Sequence, residues 1–313
     1  MQSGIAGCLH QPDMVPTRLV TVEEYLAVPR RRLSWQIHGL IPRPSKINLI
    51  GAPKEGKTFL AFGAAACVAS GRDFLGHKTE PGKVLYLQFD TGLATWDEMQ
   101  RKLVESGVNF PPGLLQIHPE DIKRPLNVLL SDSRAYLKGI VKGSDPDLVV
   151  LDTLRKVHSA DENDSTEMKV VGDALDEVFG DVALLLLHHA RKIPAEVLEP
   201  DPAQSGRGSS AIMADADGLW LLHRNTLRTT SRFDERGVYR LDREDNGMWA
   251  AGDAGARADL VVKVLAICTE YPATPHTHLA AIAKARLGIS RASFYRCLAG
   301  RACAHRPAGT QAV

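Results

Sequence analysis

The chain has 313 residues, of which 44% are hydrophobic and 24% charged, and its formal net charge is +1. These values are typical of a globular protein with a sizeable core, arranged as one large domain or two of ordinary size. No apolar run reaches the roughly 18 residues of a membrane span, and no signal-peptide pattern opens the chain, so we expect a cytoplasmic protein without a membrane partner. The five scattered cysteines show no C-x-x-C spacing, which argues against a disulfide framework or a zinc site.

Charge is distributed unevenly along the chain. Residues 253–313 contain eight Lys or Arg against three Asp or Glu, so the remainder of the protein is net acidic. A basic end on an acidic body indicates a polyanion partner, whereas the plainer alternative is a solvated surface that happens to be basic.

Strand and helix signals alternate between residues 47 and 189. Near the N-terminus, Thr21 and Glu24 form a capping pair for a short helix in "TVEEYLAV". The pattern then predicts a strand at 47–50, a helix at 57–70, a strand at 84–90, a helix at 95–107, a strand at 114–118, a helix at 132–143, a strand at 147–152, a helix at 166–180, a strand at 182–189 and antiparallel strands between 216 and 243. Because the strands are nearly all apolar, they are expected to be covered on both faces, which predicts an α/β fold with a mostly parallel sheet.

The stretch "GAPKEGKT" follows the first of these strands and precedes a helix. It matches G-x-x-x-x-G-K-[ST], in which glycines let the backbone curl around phosphates and the helix N-terminus supplies positive potential. Lys57 is expected to reach the β- and γ-phosphates of ATP, and the Thr58 hydroxyl to hold Mg²⁺. The alternative is a simple strand-to-helix turn. The predicted nucleotide-binding residues are Gly51, Ala52, Pro53, Lys54, Glu55, Gly56, Lys57, Thr58 and Phe59.

Two acidic residues end apolar strands and are candidates for the chemistry. Asp152 ends "DLVVLD", where a buried carboxylate is costly unless a cation such as Mg²⁺ is near. A helix cap is the alternative, although Asp164 and Glu167 already form a capping pair further on. Asp90 ends "VLYLQFD" at the sheet edge where ligands bind, and is our candidate for orienting the attacking water. Its alternative role is to cap the turn into the next helix.

The strand "VALLLLHH" ends in His188 and His189. Adjacent strand side chains point to opposite faces, so the two cannot both face one site, which argues against a metal pair. One of them is expected to sense the γ-phosphate while the other packs or faces solvent. A structural role for both is the alternative.

In this order, the motifs resemble those of the RepA-like hexameric helicases of plasmids and phages, within the RecA/DnaB-type ATPases. The matching stretches are "GLIPRPSKINLIGAPKEGKTFLA", "FLGHKTEPGKVLYLQFD", "DLVVLDTLRKVHSADENDS", "LLLLHHARK" and "GRGSSAIMADADGLW", which fall between residues 39 and 220. The resemblance implies a RecA-like core that assembles as a ring, expected to be a hexamer, with ATP at the subunit interfaces. The sequence departs from the family at Asp90, where Glu is usual. The Asp side chain is one methylene shorter, so it would hold the water less well or require a shifted backbone.

The resemblance also assigns roles to individual residues. Asp152 matches the acid of the Mg²⁺ shell, the pair His188–His189 matches the histidine motif that links the γ-phosphate to DNA, and Arg207 matches the arginine that reaches a neighbour's ATP. For Arg207 the alternative is a surface arginine of a loop. Loops facing a central channel would carry the contacts to single-stranded DNA, namely Arg155, Lys156, Arg191 and Lys192.

The basic tail contains a helix, a tight turn "LGIS" with Gly288, and a second helix capped by Ser290. This pattern predicts a helix-turn-helix whose second helix would meet duplex DNA through Arg291, Tyr295 and Arg296. The alternative is a helical hairpin that packs on the core or binds protein. The predicted organisation is therefore an N-terminal segment (1–30), a RecA-like ATPase domain (31–250), a linker (251–257) and a helix-turn-helix-like domain with a disordered end (258–313).

Two functions are consistent with these features. The first is an ATP-dependent, ring-forming DNA helicase or translocase of a plasmid, phage or integrated element, which the channel-loop residues and Arg207 favour. The second is a DNA-bound ATPase switch, regulator or helicase loader that does not unwind DNA, which Asp90 and the helix-turn-helix favour. A nucleotide-binding assembly factor without DNA contact is a third, plainer possibility.

Overall fold

The computed structural model describes residues 19–27, 33–105, 107–117, 126–194, 196–197, 199–208, 210–233, 236–252, 254–272, 274–287, 294–295 and 297–298, with the backbone alone for 254–261. The chain divides into two compact units, residues 1–33 and 34–313. In the first unit, helix α1 (Val22–Ala27) begins with the predicted capping pair. The backbone amide of Thr21 donates to Glu24 Oε2 at 2.8 Å, and that of Glu24 donates to Thr21 Oγ1 at 3.1 Å, which confirms the pair.

The second unit is built on strands and helices in the following chain order. They are β1 (Ser34–Ile37), β2 (Ile41–Arg43), β3 (Ser45–Gly51), α2 (Lys57–Ser70), β4 (Val84–Gln88), α3 (Leu93–Glu105), β5 (Leu114–Gln116), α4 (Ser131–Ser144), β6 (Leu148–Asp152), a 3₁₀ turn (Leu154–Lys156), α5 (Ser165–Phe179), β7 (Ala183–His189), α6 (Pro202–Ser205), α7 (Ala211–Ala214), β8 (Gly218–His223), β9 (Thr226–Ser231), β10 (Gly237–Arg243), β11 (Trp249–Ala251), α8 (Ala254–Glu270) and α9 (His276–Leu287).

Within the described residues, nine strands form one sheet in the order β11-β10-β9-β8-β3-β7-β6-β4-β5. The strands from β8 through β3, β7, β6 and β4 to β5 are parallel, and β9, β10 and β11 extend the sheet antiparallel. This mostly parallel, helix-flanked sheet confirms the predicted α/β, RecA-like fold class. Strand β3 lies between β7 and β8, so the loop that follows it emerges at the middle of the sheet.

Two apolar clusters cover the two faces of the sheet. In β7, Leu184 and Leu186 belong to the cluster that contains residues of α4 and α5, and Leu185 and Leu187 to the cluster that contains residues of α2. Burying apolar surface stabilises the folded chain by about 25 cal/mol per Å². Because the strands are covered on both faces, this burial is their main source of stabilisation, and they contain few polar residues for that reason. Polar side chains gather instead at the carboxyl ends of β4, β6 and β7.

Several local details differ from the sequence-based expectation. The Pro-rich stretch that follows β7 contains the short helix α6, which Asp201 caps by accepting from the amide of Ala203. Asp164 caps α5 as predicted, by accepting from the amides of Thr166 and Glu167. Glu167, however, accepts from the amide of Asp161 at 2.7 Å, so the reciprocal bond of the pair goes to a residue outside the helix. A rule based on residue spacing does not predict which of several nearby amides donates to a side chain.

The C-terminal part has a small core of its own. Its buried residues are Val264, Ile267, Leu279, Ala280, Ala283, Phe294 and Cys297. Strand β11 ends at residue 251 and α8 begins at 254, so helix covers most of the stretch predicted as a linker, and the domain boundary stays a prediction. Gly288, Ser290, Arg291 and Arg296, on which the predicted helix-turn-helix depends, lie outside the described residues, as does the predicted end after Arg301. No helix in the described part of the chain is long and apolar enough to cross a membrane.

Candidate nucleotide-binding site

The loop between β3 and α2 has the shape of a phosphate cradle. Gly51 ends β3, and Gly56 adopts a left-handed φ of 94° immediately before α2. Among the described residues no side chain caps α2, and its first turn contains no acid, so its amides and dipole remain available to an anion. A Cβ on Gly51 would lie 3.1 Å from the Lys57 side chain, which shows how tightly the loop curls. The strand before and helix after the loop confirm the predicted context.

Lys57 is buried at the centre of this loop. Its ammonium donates to the carbonyl oxygens of Gly51 at 2.8 Å and Ala52 at 3.1 Å. Burial lowers the pKa of Lys57, while the negative charges of Asp152, Glu55 and Asp90 oppose that change. A buried cation surrounded by backbone carbonyls is well placed to exchange them for phosphate oxygens.

Asp152 and Thr58, the two residues predicted to hold Mg²⁺, lie close together beside the loop, where their side chains form a hydrogen bond. Asp152 is 3% exposed, and burial raises the pKa of its carboxyl group to about 6, against hydrogen bonds from the hydroxyls of Thr58 and Tyr86. The Tyr86 hydroxyl donates to Asp152 Oδ2 at 3.1 Å. A carboxylate that is costly to ionise without a cation suits a Mg²⁺ position.

The donor set also limits how a metal could be held. Among the described residues, no group of three or more His, Cys, Asp or Glu side chains is arranged as a metal site. Mg²⁺ commonly takes one or two ligands from the protein and the rest from substrate phosphates and water. Thr58 and Asp152 could supply the protein ligands beside the loop. Thr58 and Asp152 therefore fit a Mg²⁺ that nucleotide phosphates would also hold.

Asp90 lies at the same sheet edge, just beyond β4. Gln88 at the end of β4 pairs in register with Asp152 of β6, and the amide of Phe89 donates to the Asp152 carbonyl at 2.6 Å. Asp90 is exposed, and the Lys156 ammonium lies 3.7 Å from its Oδ1. The Nε2 of Gln88 is buried without a hydrogen-bond partner in the described structure.

The two histidines separate to opposite faces of the sheet, as strand alternation predicts. His188 is 1% exposed, and its Nε2 lies 2.8 Å from the carbonyl oxygen of Arg207. His189 follows Leu187 by two residues and thus points to the face that contains α2, with Gly51 as its register partner. Burial lowers the pKa of both imidazoles, and the Lys57 charge contributes to each shift. Of the pair, His189 is therefore better placed to face a phosphate.

The loops after β6 and β7 are joined by Glu162, which the sequence-based reading missed. Arg207 Nε lies 3.5 Å from Glu162 Oε2, and Arg155 Nε lies 3.9 Å from Glu162 Oε1. Glu162 is 9% exposed, whereas the Arg207 side chain is 63% exposed. A nearly buried carboxylate between two arginines joins the two loops. No sequence signal distinguished Glu162 from the neighbouring acids, which local rules treat as helix caps.

The antiparallel end of the sheet also reaches the loop, through residues that no local motif marks. Trp249 Nε1 in β11 donates to the Gly56 carbonyl oxygen at 3.0 Å. The Arg243 guanidinium lies 5.1 Å from the ring centroid of Phe59 and 5.7 Å from that of Trp249. These residues form a wall beside the start of α2.

Four of the remaining predicted residues are exposed. Pro53 and Lys54 are exposed on the loop, and Lys54 has a φ of 66°. Arg191 and Lys192 are exposed after β7. Tyr295 packs against the C-terminal core, while Arg291 and Arg296 are outside the described residues. The structure thus brings Lys57, Thr58, Asp90, Asp152 and His189 to one sheet edge and leaves the basic residues around it.

Comparison with known proteins finds similar solved structures and a matching family. The similar solved structures include a DnaB-like replicative helicase, determined with its interactions with primase, at 14% identity and a TM-score of 0.52 over 74% of this chain and 67% of that chain. They also include a KaiC-like protein from the hyperthermophilic archaeon Pyrococcus horikoshii OT3, at 14% identity and a TM-score of 0.44 over 70% of this chain and 94% of that chain. Residues 11–195 match the P-loop family described as AAA domain. Because that match spans more than half of the sequence and includes the phosphate loop, the chain belongs to the AAA-domain family.

Proposed function

We propose that this protein is an ATP hydrolase that works on DNA as a ring-forming helicase or translocase. The observation that carries the proposal is the assembly of Lys57, Thr58 and Asp152 around a left-handed Gly56 at the uncapped start of α2. A buried cation, free helix amides and a desolvated acid form a set that binds a nucleoside triphosphate.

In this proposal each residue has a limited task. The loop amides and Lys57 bind and orient the β- and γ-phosphates, and Thr58 with Asp152 would hold Mg²⁺, which neutralises charge that develops on the transferred phosphoryl group. Asp90 accepts a proton from the attacking water or orients it, and His189 contacts the γ-phosphate from the neighbouring strand. The shape of the cradle supports these assignments.

The DNA part of the proposal depends on the basic loops. Arg155 and Lys156 follow β6, and Arg191 and Lys192 follow β7, so all four lie near the carboxyl ends of adjacent strands. Their exposure suits contacts to phosphates of single-stranded DNA, which are electrostatic and independent of sequence. The fold shared with a DnaB-like replicative helicase is compatible with this use.

Ring formation is proposed from Arg207. Its side chain is largely exposed and lies outside the cradle of its own subunit, against Glu162. An arginine in that position can act on the ATP of a neighbouring copy, where it would stabilise transition-state charge. A RepA-like hexamer is the specific assembly we propose.

A second candidate function is a DNA-bound ATPase switch or helicase loader without unwinding activity. The short side chain of Asp90, already engaged by Lys156, favours slow hydrolysis, and the separate C-terminal core favours a second DNA contact. ATP turnover by purified protein, with and without single-stranded DNA, tests the proposal. Turnover that DNA stimulates, together with strand displacement, supports the motor. Slow turnover with stable DNA binding supports the switch, and absent turnover in both conditions rejects the hydrolase.

A further inference from the structure

Lys156 forms an ion pair across the edge of the candidate site. Its ammonium lies 3.7 Å from Asp90 Oδ1, with 50% of the lysine side chain and 39% of the aspartate side chain exposed. Lys156 lies in the 3₁₀ turn after β6 and Asp90 just beyond β4, two strands that are neighbours in the sheet. The pair therefore joins a residue proposed to contact DNA to the residue proposed to act on water.

We propose that Lys156 is a positioning residue that restrains Asp90 in the DNA-free protein, and that nucleic-acid phosphate competes for Lys156 and thereby releases Asp90. This inference rests on the proposed function and adds a regulation to the same site. The 3.7 Å separation is longer than a hydrogen bond, so charge alone holds the pair, and a DNA phosphate that draws the Lys156 ammonium outward would lengthen the contact with Asp90. Nucleic-acid binding at this turn would then raise the rate of hydrolysis without any large change of fold.

The strength of the contact suits a reversible restraint. An ion pair with both side chains this exposed shifts an equilibrium by no more than about fivefold, because solvent screens it and two side chains must be ordered. A DNA strand presents many phosphates and gains from the release of counterions, so it can outcompete a single exposed carboxylate. A much stronger, buried pair would resist such competition.

The neighbouring residue in the turn supports the same view of this element. Arg155 contacts Glu162, which in turn contacts Arg207. The 3₁₀ turn is thus held through Lys156 to Asp90 and through the preceding residue, Arg155, to Glu162, which also contacts Arg207. A ligand that draws the turn away would loosen both contacts together, so the turn is the physical link between the outer basic surface and the inner acid.

The test compares Lys156→Gln, which removes the charge, with Lys156→Arg, which keeps it. Lys102→Gln provides a control, because Lys102 is an exposed lysine of α3 at 3.3 Å from Glu98, outside the candidate site. For each protein, kcat and KM for ATP are measured without DNA and with saturating single-stranded oligothymidylate. Binding of a fluorescent oligothymidylate is followed by anisotropy.

We expect Lys156→Gln to raise kcat without DNA by about two- to fivefold, as loss of a weak exposed pair permits. The KM for ATP should stay within about twofold of the parent, and stimulation by DNA should shrink accordingly. Lys156→Arg, which keeps the charge, should show a lower kcat without DNA than Lys156→Gln does, and Lys102→Gln should match the parent.

Unchanged or lower kcat of Lys156→Gln without DNA would overturn the inference. The unchanged result, with weaker oligothymidylate binding, would make Lys156 a phosphate contact alone, and the lower one would make it a support for Asp90. Both results leave the proposed ATP hydrolase intact, since the parent still turns over. A parent protein with no turnover in either condition would overturn the proposed function and this inference together.

Discussion

The indole of Trp249 donates its N–H to the carbonyl oxygen of Gly56, although 193 residues separate them in the chain. A Cβ on Gly56 would meet the Trp249 ring at 3.1 Å, so the indole packs directly on the phosphate loop. The antiparallel strands at the far end of the sheet are therefore part of the candidate site, and β11 supports the loop from outside.

Lys57→Ala should weaken nucleotide binding by at least about tenfold, or roughly 1.4 kcal/mol. The substitution removes the only buried ammonium in the described loop, and Lys54 is exposed on its outer side. Titration with a fluorescent ATP analogue measures the loss, and Lys54→Ala, a milder change of the same loop, provides the comparison. Equal affinity of Lys57→Ala and the parent would reject the phosphate-loop assignment.

Asp90→Asn should reduce ATP turnover while leaving ATP affinity nearly unchanged, because the carboxylate is proposed to act on water and not to bind phosphate. Asp90→Glu adds the methylene that the resembling family has and is expected to raise turnover. Steady-state phosphate release and analogue titration on the same preparations separate the two effects. If both variants hydrolyse ATP at the parental rate, Asp90 only caps the turn.

Asp152→Asn should become more stable relative to the parent as pH rises from 4.5 to 7.5 in the absence of metal. Burial raises the pKa of Asp152 from 3.8 to about 6, so between these values the folded protein retains a proton that the unfolded chain has lost. Parental stability therefore falls as pH increases through this window, by about 2 kcal/mol between the two test conditions. Asparagine does not ionise, so Asp152→Asn does not lose stability in this way as pH rises.

Urea unfolding of both proteins at the two pH values, with EDTA present, measures this difference. Asp173→Asn, an exposed aspartate of α5 paired with Lys169, serves as the control for loss of a carboxylate. If the stability of Asp152→Asn minus that of the parent stays constant or falls as pH rises, the buried, hard-to-ionise state of Asp152 is contradicted.

Mixing Arg207→Ala subunits with Lys57→Ala subunits should restore part of the ATP turnover that each variant lacks alone. Arg207 is proposed to act in a neighbour's site, so a mixed ring contains interfaces with an intact loop on one side and an intact arginine on the other. Turnover is measured across mixing ratios, with light scattering to give the assembly state. Monomeric protein and no recovery at any ratio would exclude the ring.

Deletion of residues 253–313 should weaken duplex DNA binding strongly and leave ATP-analogue binding unchanged. The deleted part carries eight Lys or Arg and a separate apolar core, while Trp249 and β11 are retained. Binding by the intact protein should also fall steeply with salt. Retained DNA affinity with a lowered melting temperature would instead identify a hairpin that packs on the ATPase part.

The sequence alone was sufficient to predict the parts of the structure that follow local rules. Apolar strands bounded by turns predicted β3, β4, β6 and β7 within one or two residues, and strand alternation correctly separated His188 from His189. The loop pattern placed Lys57 and Thr58 at the start of a helix, and the strand-ending rule brought Asp152 beside them.

What the sequence did not show are contacts between segments far apart in the chain. Trp249 stood at the edge of a Gly/Ala-rich stretch that gave no strand signal, because β11 is only three residues long and forms by pairing with β10. Glu162 lay in a run of acids that local rules treat as helix caps. Its contacts with Arg155 and Arg207 depend on how the loops after β6 and β7 approach each other, which no spacing encodes.

The contact of β11 with the phosphate loop also restricts how this chain can exchange modules during evolution. Ala251 pairs with Leu241 in β10, and α8 begins three residues later. A recombination event that replaces the C-terminal part is expected to join the new segment after β11, since a junction before Trp249 would remove the indole that donates to the Gly56 carbonyl. Natural or engineered fusions are therefore expected to tolerate varied tails after that point and to lose nucleotide binding when the junction moves before Trp249.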